Sequence, residues 1–238
     1  MSRQETPTAQ VALIGLFVTA LVTAQLTASK VLAFDLPVAI PVAGDTLALP
    51  GAALAYALTF FASDIYAEIY GRRAAQILVN VAFALNFVLL ALVWSTILAP
   101  AAATSPVPPE TFATVLGSST NIVLASLAAY LVSQNWDVVV FHALREFTDG
   151  AHLWLRNIGS TATSQLLDTV IFVGLGFYLV PLALGTGDPL PLGIVASLLV
   201  GQYVLKLAIA LLDTPFVYLV VGLFRRQERA GSVAPPTD

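Results

Sequence analysis

Two lysines and five carboxylates stand inside long apolar stretches, and their chemistry needs explaining. Lys30 and Lys206 are the only lysines; Asp64, Glu68, Asp137, Asp168 and Asp213 share those stretches with them. An ionised side chain at the centre of a bilayer costs about 2.5–3.5 kcal/mol on insertion scales. Such groups therefore face a bundle interior or water and pair with one another or with a ligand. The eight arginines (Arg3, Arg72, Arg73, Arg145, Arg156, Arg225, Arg226 and Arg229) all fall in short polar joints.

Spacing collects these residues on helix faces. Asp64 with Glu68 and Ser164 with Asp168 are four apart, and Gln134 with Asp137 three apart, so each pair shares a face. Lys206 and Asp213 lie on one stripe, two turns and about 10 Å apart. Asp168 is twelve residues beyond Arg156 and Asp213 twelve before Arg225, which sets both roughly 18 Å deep. Equal depth suits opposing walls of a ligand cavity, with Lys206 paired to Asp168 or Asp213. The competing reading makes Lys206 only a counter-ion that ties two helices together. Lys30, near the end of its stretch, can snorkel to an interface. Asp64 and Glu68 lie close enough in sequence to Arg72 and Arg73 for an interfacial pairing. Asn80, Asn86, Asn121 and Gln202 read as interhelical hydrogen-bonding residues.

The elements that must position these groups follow from composition. Of 238 residues, 58% are hydrophobic and only 10% charged, against about 25% charged in a soluble domain. Apolar runs of about 20 residues recur, each able to cross a roughly 30 Å hydrocarbon core. The expectation is an all-α integral membrane protein of the cell membrane. Its six transmembrane helices, at about 10–33, 51–70, 75–98, 113–141, 158–182 and 192–223, form one bundle. Residues 1–230 are one domain, 231–238 a disordered tail, and the first run is a retained helix rather than a cleaved signal. Every arginine falls in the N-terminal segment, the 71–74 turn, the 142–157 loop or the C-terminal tail. The connections 34–50, 99–111 and 183–191 hold no Lys or Arg, so both termini are expected in the cytoplasm. Trp94, Trp136 and Trp154 mark span ends as interfacial aromatics.

One motif repeats. Ser133-Gln134-Asn135-Trp136-Asp137, continued to Phe141, matches Ser164-Gln165-Leu166-Leu167-Asp168, continued to Phe172, as SQxxDxxxF. The copies sit on consecutive spans of opposite direction, as in inverted-repeat transporters; so few matched positions also arise by chance in so restricted an alphabet. Ala20, Ala24 and Ala28 form a small-residue stripe suited to close helix packing, internal or with a partner. Enzyme signatures are absent. Without cysteine there is no thiolate or Cys-based metal site. His142 and His152 both lie in the 142–157 joint, and no HExxH, GxSxG or Walker A pattern occurs. No catalytic residue, metal or cofactor is expected.

In these residues the chain resembles the queuosine precursor transporters, a family earlier labelled as vitamin uptake transporters. The resemblance rests on Thr27–Lys30, Ser63–Gly71, Ser133–Asp137 with Phe141–Arg145, His152–Asn157, Ser160–Thr169 and the Lys206-centred last helix. It implies import of 7-deazaguanine bases, such as 7-cyano- or 7-aminomethyl-7-deazaguanine, salvaged for modified tRNA nucleosides. The site residues expected on this reading are Asp64, Glu68, Gln134, Asp137, Asn157, Ser164, Gln165, Asp168, Lys206, Asp213 and Lys30. Carboxylates and glutamines would meet the ring N–H groups, and Lys206 or Asn157 the carbonyl. Phe172, Tyr66 or Phe141 would stack on the ring. The expected partners are a nucleobase-like small molecule and the lipid bilayer, with no nucleic acid; self-association is left open. A different class competes: the substrate-binding subunit of an energy-coupling-factor ATP-driven importer, docking through the Ala20/Ala24/Ala28 stripe.

Overall fold

The computed structural model describes residues 8–40, 42, 44–149, 152–185 and 187–232. Of residues 153–154, 156–157, 210, 213–215, 218, 221 and 223–232 only the backbone is described. Among the described residues, five stretches are long and apolar enough to cross a membrane: Thr8–Thr27, Arg72–Leu98, Pro109–Phe147, Ile158–Leu184 and Leu192–Ile209. Their outward faces carry exposed apolar side chains such as Leu92, Leu131 and Leu207, as helices solvated by lipid do.

Helix α1 (Thr8–Thr27) leads, through Lys30, into an antiparallel hairpin of β1 (Val31–Ile40) and β2 (Gly44–Pro50). The hairpin is absent from the helical bundle expected of the sequence, which reads 34–50 as a plain connection. Its cause is local: Pro37 blocks a helix, and a positive φ at Val42 (74°) and Gly44 (78°) turns the chain. Pairing runs from Val31↔Pro50 to Asp35↔Thr46, then slips before Ile40↔Gly44, and Pro37, which has no N–H for a ladder, falls in the slip.

Helix α2 (Ala53–Tyr70) is joined to α3 (Arg72–Leu98) through Gly71 alone, at φ 88°. Helix α2 carries Asp64 and Glu68, and falls outside the five apolar spans. Pro109 starts α4 (Pro109–Gly117), which runs almost directly into α5 (Ser119–Phe147). Helix α6 (Leu153–Gly174) follows, so most of the polar stretch 142–157 is helical rather than loop. A π-helical turn, Leu175–Leu179, then joins α6 to α7 (Val180–Leu184). Pro181 cannot donate to the Phe177 carbonyl; the N–H of Leu190 takes that oxygen instead, at 3.0 Å. The last helix, α8 (Leu192–Ser232), passes the expected span end at 223, and 233–238 lie outside the described residues.

The hairpin is anchored to α8. The Ala48 N–H donates to Ser197 Oγ at 3.1 Å, and that hydroxyl donates to the Thr46 carbonyl at 2.9 Å. One side chain thus satisfies two polar groups on the outer edge of β2, which must be paired once buried. Gly201, one turn on, lets the strand approach: a Cβ there would overlap the Ala48 carbonyl. Two apolar cores result. One gathers Leu13, Phe17, Leu21, Ile65 and Leu78 from α1, α2 and α3; the other joins Ala24 and Ala28 to Ile122, Phe172 and Leu198. Ala20, Ala24 and Ala28 are all buried inside the chain, so the small-residue stripe serves internal packing rather than an exposed docking face.

Candidate functional site

A cavity opens beside the core that holds Ala24, Ile122 and Phe172, and Leu21 of the other core borders it too. Helix α1 contributes Leu21, Ala24 and Gln25; the hairpin foot and α2 contribute Pro50, Ala52 and Tyr56. Phe83, Ile122 and Tyr130 close the next side, and Asp168, Phe172, Gln202 and Lys206 complete the wall. Alanines leave the space, and the polar groups are few and convergent, as in small-molecule sites generally.

At its centre Lys206 is 5% exposed, with Nζ 2.5 Å from Asp168 Oδ2. The other carboxylate oxygen of Asp168 accepts the Ser133 hydroxyl at 3.3 Å. The ammonium also lies 5.6 Å from the centre of the Tyr56 ring, within cation–π range. Helices α2, α5, α6 and α8 thus converge on one ion pair. The Asp168 side chain keeps 17% of its surface exposed. A carboxylate has roughly four lone-pair positions, and Ser133 and Lys206 occupy two, so the carboxylate retains acceptor capacity beside the ammonium donors.

Two stacked aromatic rings also line the cavity. Phe83 and Tyr130 stack with centroids 4.3 Å apart and planes 23° from parallel. Tyr130 is fixed through its hydroxyl, which accepts from Gln76 Nε2 at 2.8 Å and donates to Asn80 Oδ1 at 2.9 Å. Gln25 is buried and accepts from Ser126 at 3.5 Å. Gln202 is also buried, but its Oε1 has no partner among the described residues.

The repeated motif is visible in three dimensions. Ser133 of the first copy donates to Asp168 of the second, and Ser164 of the second to Asp137 of the first, both at 3.3 Å. Of the site residues expected from sequence, Asp168 and Lys206 line the cavity. Asp137 and Ser164 pair with each other elsewhere on the α5–α6 seam. Gln134 is exposed; Gln165 is half-buried, with its Oε1 unpartnered among the described residues. Asp64 and Glu68 are on the exposed side of α2, and Lys30 is exposed at the hairpin foot, where its carbonyl accepts from Gly51 at 2.6 Å. The side chains of Asn157 and Asp213 lie outside the described residues. Among the expected stacking rings Phe172 lines the cavity, while Tyr66 accepts from Gln10 in the other core and Phe141 sits against His142. Sequence reasoning missed Tyr56, Phe83, Tyr130 and Ser126. It took Gln202 for helix-bridging glue, although its place four residues before Lys206 puts the two on one face.

These features define a multi-pass helical membrane protein with an ion pair and aromatic rings around an internal cavity. Residues 50–220 match the family described as "Putative vitamin uptake transporter". Over 176 residues, 74% of this chain and 72% of the other, the sequence is 33% identical to a Bacillus subtilis (strain 168) protein named "Probable queuosine precursor transporter". The chain belongs to this family of membrane transporters, which are not enzymes. No solved structure matches it.

Proposed function

We propose that the chain imports queuosine-precursor bases, 7-cyano- or 7-aminomethyl-7-deazaguanine, across the cell membrane for salvage into modified tRNA. The observation that carries this reading is the Asp168–Lys206 pair opening into an aromatic-walled cavity. The pyrimidine edge of a deazaguanine offers two kinds of N–H donor beside one carbonyl acceptor. Asp168 accepts the donors and Lys206 donates to the carbonyl, while Phe172, Tyr130 or Phe83 provides ring surface for the flat base. The name carried by the Bacillus subtilis relative supports the same substrate class. Asp137 and Ser164 are the inverted counterpart of the Asp168 site, and the chain works as one six-span unit with α2 as the short crossing that carries Asp64 and Glu68.

Uptake by the purified protein in liposomes tests the function. Labelled 7-cyano-7-deazaguanine should enter vesicles holding this chain alone, and unlabelled base should compete. Uptake that appears only after a co-purified ATPase is added would replace the self-sufficient transporter with the binding-subunit reading.

A further inference from the structure

The geometry points to Gln202 as the residue that distinguishes the free base from its N9-substituted forms, by accepting the pyrrole N–H of the ring. This rests on the base site proposed above. Three side chains have a buried polar atom without a partner among the described residues, and of these only Gln202 lines the cavity. Its unpaired atom is the amide oxygen, an acceptor. The neighbouring cavity amide, Gln25, already holds a hydroxyl, that of Ser126. Buried acceptors are normally satisfied, so an orphan in a cavity wall marks the place where a ligand donor arrives.

Position selects the donor. Gln202 and Lys206 are four residues apart on α8, one turn and about 6 Å along the same face. Both side chains line the cavity from successive turns of that face, so their ends can reach different edges of one fused bicyclic base. With the pyrimidine edge on Asp168 and Lys206, the edge turned toward Gln202 carries the pyrrole N–H. In a nucleoside that nitrogen bears the sugar and has no proton to give. The amide oxygen would then stay buried and unpaired, the situation in which sites built around a hydrogen bond discriminate most strongly.

Binding of 7-cyano-7-deazaguanine and its 9-methyl analogue to the purified protein tests this; the methyl group removes the donor without the bulk of ribose. Wild type should favour the free base by at least ~100-fold. In Gln202→Met the base should bind at least ~10-fold more weakly, and the preference should shrink to within ~10-fold. The unliganded Gln202→Met protein should also melt higher than wild type, because the orphaned oxygen is gone; a merely structural role would lower it. Gln202→Glu retains an acceptor and should keep the preference. A Gln202→Met protein that still prefers the free base as strongly as wild type overturns the assignment. If the wild type binds neither compound, the base site itself fails and this inference with it. If it binds both equally, the base site stands and the assignment to Gln202 falls.

Discussion

Ser133 donates to Asp168 across the α5–α6 seam, and Ser164 returns an equivalent bond to Asp137. The two serines hold the same place in the SQxxD motif, as do the two aspartates. A reciprocal exchange of this kind requires a local two-fold relation between antiparallel helices. It turns a weak sequence repeat into a geometric one, of the type that builds inverted-repeat transporters. The symmetry is broken at Lys206, which pairs with Asp168.

That asymmetry predicts unequal effects from equivalent mutations. Each hydroxyl bonds a carboxylate at a long 3.3 Å, so Ser133→Ala and Ser164→Ala should each cost about 1 kcal/mol of stability. Only Ser133→Ala frees the carboxylate that faces the cavity, and it should weaken base binding about fivefold. Titration calorimetry on both purified variants checks this. Equal loss of affinity in Ser164→Ala would bring Asp137 into the site.

The ion pair itself separates stability from binding. Removing one partner of a buried pair leaves the other charge uncompensated, at a cost of about 3–5 kcal/mol. Asp168→Asn and Lys206→Met should each melt well below wild type and lose uptake. The double variant removes both charges, so most of the melting temperature should return while uptake stays absent. If uptake returned with stability, the pair would be structural, which is the counter-ion reading of Lys206.

How far the sequence foretold this arrangement depends on the residue. Lys206 and Asp168 were legible because an ion in an apolar run must find a partner, and the two pair with each other. The same logic points equally to Asp213, whose side chain lies outside the described residues. Lys30, Asp64 and Glu68 carry the same charge signal but lie on exposed faces, outside the lining of the cavity. Tyr56, Phe83 and Tyr130 were invisible because an aromatic in a membrane helix looks the same facing lipid or cavity. The hairpin was hidden for a related reason. Its proline-punctuated residues read as a plain connection between spans, and the edge partner that lets β2 enter the bundle, Ser197, is about 150 positions away.

That edge partner and its neighbour yield a third prediction. Gly201→Ala sets a methyl group against the Ala48 carbonyl, and overpacking of this sort costs about 1–3 kcal/mol. Ser197→Ala instead strips the partner from a buried N–H and a carbonyl of β2, at about 1–3 kcal/mol for a group left unpaired. Because β2 ends at Pro50 in the cavity wall, both variants should also weaken base binding, in step with their lower melting temperatures. A variant that melts early yet binds normally would show that the hairpin is not needed to shape the cavity.

Whether α2 crosses the bilayer decides the topology, and the absence of cysteine makes the question direct. Val42 sits in the hairpin turn before α2, and Arg73 lies just after α2, in the first turn of α3. If α2 spans, the two are on opposite faces, and the arginine distribution places Arg73 in the cytoplasm. In intact cells Val42→Cys should then react with a membrane-impermeant maleimide, while Arg73→Cys should react only after permeabilisation. Ser105→Cys, in the connection free of basic residues, should behave like Val42→Cys, and Glu146→Cys like Arg73→Cys. If α2 instead lay within one leaflet, Val42→Cys and Arg73→Cys would label from the same side. The five longer spans would then leave the termini on opposite faces, and the carboxylates Asp64 and Glu68 would be the reason, since they stand in a helix of only 18 residues that falls outside the five apolar spans.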